Sequence, residues 1–151
     1  MHISAKGEYG IMAALDLALA NGTAPIQART IAERQGIPVR FLEHVLRELR
    51  HAGLVESARG AHGGYRLALP ASKIRLGDVI QAVEGPIALT THAAPRGRNG
   101  NGHHTLHGSL VQGIWDEVKV SVLETLNRTT LADLCRQARD LEEQRVLMYH
   151  I

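Results

Sequence analysis

The chain has 151 residues, 44% hydrophobic and 21% charged, with one Trp, one Phe and three Tyr, which is enough for one globular domain with an aliphatic core. A single cysteine, Cys135, excludes an intrachain disulfide framework, a four-cysteine zinc site and an all-cysteine iron–sulfur site. The apolar run over 11–20 is broken by Asp16, too early for a membrane span, and the opening MHISAKGEYG lacks a signal-peptide layout, so a cytoplasmic location without membrane contact is expected.

Ser4 caps a predicted first helix running to about residue 20, with Ile11, Leu15, Ala18 and Leu19 at helical spacing and Asn21-Gly22 as the stop. That helix is apolar on most sides, so it is either buried or packed against a second subunit. A short helix comes next, from Ala28 to Gln35, stopped by Gly36. After Ile37, Pro38 suits the start of a longer helix to about Ala52, with Gly53 in the stop position. On it Leu42, Val45, Leu46 and Leu49 form one stripe, and Arg40, Glu43, His44, Arg47, Arg50 and His51 fall largely opposite.

Two helices joined by about three residues, with glycine at the turn, make a helix-turn-helix pattern, which any helical hairpin shares. Residues 54–68 narrow the choice. Leu54-Val55 starts a strand, 57–64 is a small, basic, glycine-rich turn, and Tyr65-Arg66-Leu67-Ala68 alternates as a return strand. A β-hairpin directly after the third helix is the layout of a winged helix. A further helix is predicted over 74–84, with Leu76, Val79, Ile80 and Val83 on one face. A loop rich in glycine and histidine spans 86–108. A long helix begins at Ser109 and runs to about Leu126, with Val111, Trp115, Val118, Val122 and Leu126 on one seam. Thr129-Thr130 caps a last helix from Leu131 to about Glu143, with Leu134, Ala138 and Leu141 apolar. These elements divide the chain into a winged helix-turn-helix domain (1–85), the loop (86–108), two association helices (109–145) and a tail (146–151).

Charge is distributed to match. Residues 26–75 carry nine basic against four acidic side chains, and 76–151 carry seven against nine, so the net +2 conceals a basic half suited to a polyanion. A helix in the major groove presents side chains to base edges, where arginine pairs with guanine and a carboxylate accepts from cytosine. The third helix offers Arg40, Glu43, His44 and Arg47; a plain Glu43–Arg47 surface pair is the alternative. Arg59 at the glycine-flanked turn suits a narrow minor groove, whose potential is most negative. Gly60, Gly63 and Gly64 permit the tight turn and a close backbone approach.

The segments ISAKGEYGIMAALDLA, IAERQGIPVRFLEHVLRELRHAGLVESARGAHGGYRLALP and IRLGDVIQAVEGP resemble the Rrf-two family of bacterial winged-helix transcription regulators (the IscR, NsrR and CymR type), densely over 2–87. GLVESARGAHGGYRLA is the most specific stretch. The resemblance implies a mainly α-helical winged helix with a β-hairpin wing and a long dimerisation helix. It implies a homodimer on a pseudo-palindromic double-stranded operator, acting as a repressor or activator, with repression the expectation. The DNA-contacting set carried over comprises Arg29, Thr30, Pro38, Arg40, Phe41, Glu43, His44, Arg47, Arg59, Gly60, His62, Gly63, Gly64 and Tyr65. Many members have serine where Pro38 stands, so a hydroxyl able to touch phosphate is lost here.

Many relatives hold an iron–sulfur cluster on three cysteines before the long helix. Here the corresponding loop, THAAPRGRNGNGHHTLHGS, has none, so no cofactor is expected. It carries His92, His103, His104 and His107 instead. Imidazole suits zinc, copper, nickel or haem, and a metal- or redox-responsive regulator sensing through these histidines is the second reading. Glu8 stands where some cluster-binding relatives use a carboxylate; a salt bridge or helix-end role is expected for it. Cys135, between apolar positions 134 and 138, reads as a buried, inert thiol. The ending VLMYHI resembles the tail of CymR-type members, which lack the cluster. That likeness implies docking of O-acetylserine thiol-lyase through Tyr149 and Ile151, and with it control of cysteine or sulfur metabolism; packing of the tail on the dimer is the alternative. No nucleophile elbow, phosphate loop or spaced carboxylate pair is present, so an enzyme is not expected, and the basic wing argues against an adaptor that does not touch DNA.

Overall fold

The computed structural model describes residues 3–20, 24–87 and 105–150. Six helices and one hairpin occur in order: α1 Ala5–Leu19, α2 Ala28–Gln35, α3 Val39–His51, β1 Val55–Ala58, β2 Gly64–Leu67, a 3-10 turn Ala71–Lys73, α4 Leu76–Glu84, α5 Leu106–Arg128 and α6 Leu131–Tyr149.

Helix α1 is the central element. Its N-cap is Ser4, whose hydroxyl accepts from the Gly7 amide, as the sequence predicts. The buried face is not the Ile11–Leu15–Leu19 stripe: Leu19 is exposed, and Gly7, Gly10, Ala13, Ala14, Leu17 and Ala18 are buried. Small residues win this face because α4 lies very close. The Ser4 amide and hydroxyl both donate to Glu84 Oε1 at the end of α4, and an added Cβ at Gly10 would sit 3.3 Å from Val83. Asp16, which reads in sequence only as a break in an apolar run, is buried and accepts from Arg34 Nη1 at 3.3 Å and Gln35 Nε2 at 2.9 Å. It ties α1 to α2.

Between α2 and α3 the chain turns over Gly36 in the left-handed region (φ 66°), and the buried Ile37 donates back to the Ala32 carbonyl at 3.0 Å. Leu42, Val45, Leu46 and Leu49 of α3 are fully buried, the predicted stripe. The hairpin is antiparallel, with Val55 opposite Leu67 and Ala58 opposite Gly64. Its turn is shorter than the sequence suggests, since Ser57, Ala58 and Gly64 belong to the strands. Ile26 bridges Tyr65 through reciprocal backbone hydrogen bonds of 2.7 and 2.8 Å, so the segment before α2 joins the wing.

Four helix boundaries differ from expectation. Helix α4 begins at Leu76, not at residue 74: Ile74 is an extended, fully buried core residue after the 3-10 turn, and Arg75 with Asp78 caps the helix. Helix α5 begins at Leu106, not Ser109, because the Thr105 hydroxyl accepts from the Gly108 amide and caps it earlier; it ends at Arg128 instead of about Leu126. Helix α6 runs to Tyr149, well past Glu143, so 146–149 of the predicted tail is helical. The predicted Thr130 cap is present, completed by Asp133 as a capping box. Leu134, Ala138 and Leu141 do not form the face that packs inward; Leu131 and Cys135 do.

Candidate nucleic-acid interface

With the apolar stripe of α3 committed to the core, most of the rest of the helix is exposed. Val39, Arg40, Phe41, Glu43, His44 and Arg47 are all exposed. Among the described residues, Arg40, Glu43, Arg47 and Arg59 have no hydrogen-bond or ion-pair partner, so the alternative, a Glu43–Arg47 surface pair, is not formed. His44 instead faces Glu48 at 3.7 Å, and Arg29 faces Glu33 at 3.5 Å on α2. Pro38 precedes α3 as its N-cap and offers no side-chain cap. The Phe41 ring meets Tyr9 edge-on at 5.4 Å between centroids, which braces the start of α3 against α1.

The wing is held by α3, by the Ile26 bridge and by a pair within its own strands. Arg50 of α3 donates to Ser57 of β1 at 3.2 Å, and Arg66 pairs with Glu56 across the strands. Arg59 and Gly60 (φ 105°) lie exposed in the turn. Gly63 is buried against the opposite side of the turn, and an added Cβ would overlap the Ala58 carbonyl. Tyr65 is half-buried and packs on the core, so of the residues carried over from the resemblance it is one that the structure turns inward. His62 and Gly63 come together with Thr30 in a groove between α2 and the wing turn. That groove also contains Arg34, a residue absent from the sequence-derived set. Nothing in its spacing distinguishes it; only the partner Asp16, 18 positions away, does.

The other described candidate residues belong to α1, α5 and α6. Helix α5 has no buried residue, and Val111, Trp115 and Val118 are exposed, with Val122 and Leu126 half-buried. His107 is exposed in the first turn of α5; His92, His103 and His104 fall outside the described residues, as does Ile151. Tyr149 ends α6 with 83% of its surface exposed. Glu8 is exposed in the first turn of α1, a favourable place for a carboxylate at a helix N-terminus. Cys135 is buried, and burial pushes its thiol pKa up.

A helix-turn-helix followed by a two-stranded wing, with a bare polar face on the second helix of the pair, is a winged-helix DNA-binding module. The Rrf2 family model, described as an iron-dependent transcriptional regulator, matches residues 3–137. The chain belongs to the Rrf2 (Rrf-two) family of transcription regulators. It is 37% identical over 139 residues to the HTH-type transcriptional regulator IscR of Cereibacter sphaeroides, covering 90% of this chain and 88% of that one. It is 34% identical over 154 residues to the HTH-type transcriptional regulator CymR of Bacillus subtilis, covering all of both chains. The solved structure of CymR, the global cysteine regulator of B. subtilis, superposes with a TM-score of 0.76 at 33% identity over 91% of this chain and 98% of that one. The protein is therefore a DNA-binding transcription regulator and not an enzyme. No described helix is long and apolar enough to cross a membrane.

The donors present do not fit the thiolate-ligated iron–sulfur cluster that the family resemblance implies for many members. Such a cluster needs several thiolates, whereas this chain has one cysteine, and that thiol is buried in α6, which raises its pKa. Among the described residues no three His, Cys, Asp or Glu side chains group to hold a metal.

Proposed function

We propose that this protein is a homodimeric repressor that binds a pseudo-palindromic operator without a cysteine-ligated cluster. One observation carries the dimer. Helix α5 has 23 residues, about 34 Å of helix, none of them buried, and yet it exposes Leu110, Val111, Ile114, Trp115 and Val118. A row of that size left in water is unfavourable at roughly 25 cal/mol per Å2, and a second copy related by a twofold axis covers it with the same row. In this reading the two α3 helices of the dimer lie about one DNA turn apart, as the half-sites of a pseudo-palindrome require.

In this reading Arg40, Glu43, His44 and Arg47 read the major groove, Arg59 enters the minor groove, and Arg29, Thr30, His62 and the wing glycines seat the backbone. Bound across a promoter, the dimer excludes polymerase. Sedimentation and operator binding test it together. Val118→Glu places a charge in the seam and is expected to give a folded monomer that binds the operator at least 100-fold more weakly. Arg59→Ala is expected to leave the dimer intact and weaken binding about tenfold, roughly 1.4 kcal/mol.

The signal we infer is cysteine or sulfur supply, delivered by O-acetylserine thiol-lyase docking at Tyr149 and Ile151. Full-length similarity to CymR supports it, as does the 83% exposure of Tyr149. Removal of Ile151 is expected to abolish thiol-lyase binding in a pull-down; unchanged binding rejects this signal while leaving the DNA reading intact.

A further inference from the structure

Arg34 occupies an unusual position for a surface arginine. Its guanidinium is anchored from behind by Asp16, whose side chain is only 8% exposed, while Arg34 itself remains 49% exposed. Both Asp16 oxygens are occupied, Oδ2 by Arg34 at 3.3 Å and Oδ1 by Gln35 Nε2 at 2.9 Å. The carboxylate therefore takes one of the five guanidinium donors and leaves the others for the groove between α2 and the wing turn. Gln27, Thr30, Arg34, Ala61, His62 and Gly63 line that groove. Four of the six carry side-chain hydrogen-bonding groups, and none of the six is acidic. A rigid, planar, permanently charged donor at the wall of such a groove matches the geometry of a phosphodiester.

The geometry points to this groove as a seat for one phosphate of the DNA backbone, with Arg34 as the contacting cation and Asp16 as the residue that positions it. The inference rests on the DNA-docking reading above and deepens it. With α3 in the major groove and the wing in the adjacent minor groove, a sugar–phosphate strand runs beside the wing, and this groove opens between α2 and the wing turn. Arg34 carries no sequence information there. It sets register and adds electrostatic affinity, equally for every sequence.

The test is fluorescence anisotropy with two duplexes, one selected by the wild-type protein from a random pool and one of random sequence, from 50 to 300 mM salt. Arg34→Gln is expected to flatten the slope of log affinity against log salt by about 0.9 per contacted phosphate, and to weaken both duplexes by the same factor. Arg34→Lys retains the charge and keeps the wild-type slope. Asp16→Asn leaves the arginine charged but unheld: a three- to tenfold loss with the slope unchanged is expected, and Asp16→Asn adds nothing once Arg34 is Gln. A wild-type slope in Arg34→Gln overturns the phosphate seat. A loss confined to the selected duplex overturns it too, since that is base reading. If the two substitutions multiply, Asp16 supports the fold and does not position Arg34. Absence of duplex binding by the wild-type protein at any salt removes the docking reading itself, which separates that failure from failure of the seat.

Discussion

A methyl group added at Gly64 would overlap the carbonyl of Ile26, and the backbone there already sits at φ 144°, which side chains rarely tolerate. The cause is the Ile26–Tyr65 bridge, which brings the segment before α2 against the turn end of β2. Gly64→Ala is therefore expected to cost about 2 kcal/mol or more in urea unfolding, whereas Gly113→Ala, with open space around it, is expected to cost nothing and to gain a few tenths in helix propensity. The glycine-rich wing was legible as a tight turn, but which glycine meets which backbone was not, because Ile26 lies 38 positions away. Asp16 is a parallel case: in sequence it interrupts an apolar run, and in the fold it holds two side chains of α2.

At the scale of elements, the cap of α6 makes two predictions. The Thr130 hydroxyl accepts from the Asp133 amide at 3.2 Å, and the Thr130 amide donates to Asp133 Oδ2 at 2.8 Å. Thr130→Ala is expected to lower stability by about 1 kcal/mol. Hydrogen bonds from the Thr130 backbone, then from its hydroxyl, and the nearby Arg136 hold the Asp133 carboxyl below its ordinary value of 3.8. A carboxyl lowered on folding adds stability that is fully present above its unfolded value and lost as pH falls through the folded one. Thermal melts of the wild type are therefore expected to drop below about pH 4 more than those of Asp133→Asn. Helix ends were the least legible feature of these elements. Thr105 caps α5 from within a segment that reads as loop, and α6 extends through Arg145 and Val146 because nothing in 144–149 stops a helix.

For the whole molecule, the dimer proposed from the exposed row on α5 predicts a stability that depends on concentration. A dimer that buries Trp115 and Val118 is expected to melt higher as protein concentration rises, and Val118→Glu is expected to remove that dependence. Metal removal separates the two signal readings: if no metal is needed, operator affinity is unchanged after chelation, whereas loss of binding would favour a site at His92, His103, His104 and His107.

The helix-turn-helix, the wing and the bare basic face of α3 could be read directly from residue order, because each rests on contacts within a few positions: the 3.6-residue stripe of Leu42, Val45, Leu46 and Leu49, and glycine where the chain must turn. The docking of α4 on the glycines of α1, the Ile26–Tyr65 bridge and the pairing of Asp16 with Arg34 join residues 18 to 80 positions apart. Close packing selects such partners among many equally apolar or equally charged candidates, so they emerge only when the chain is folded.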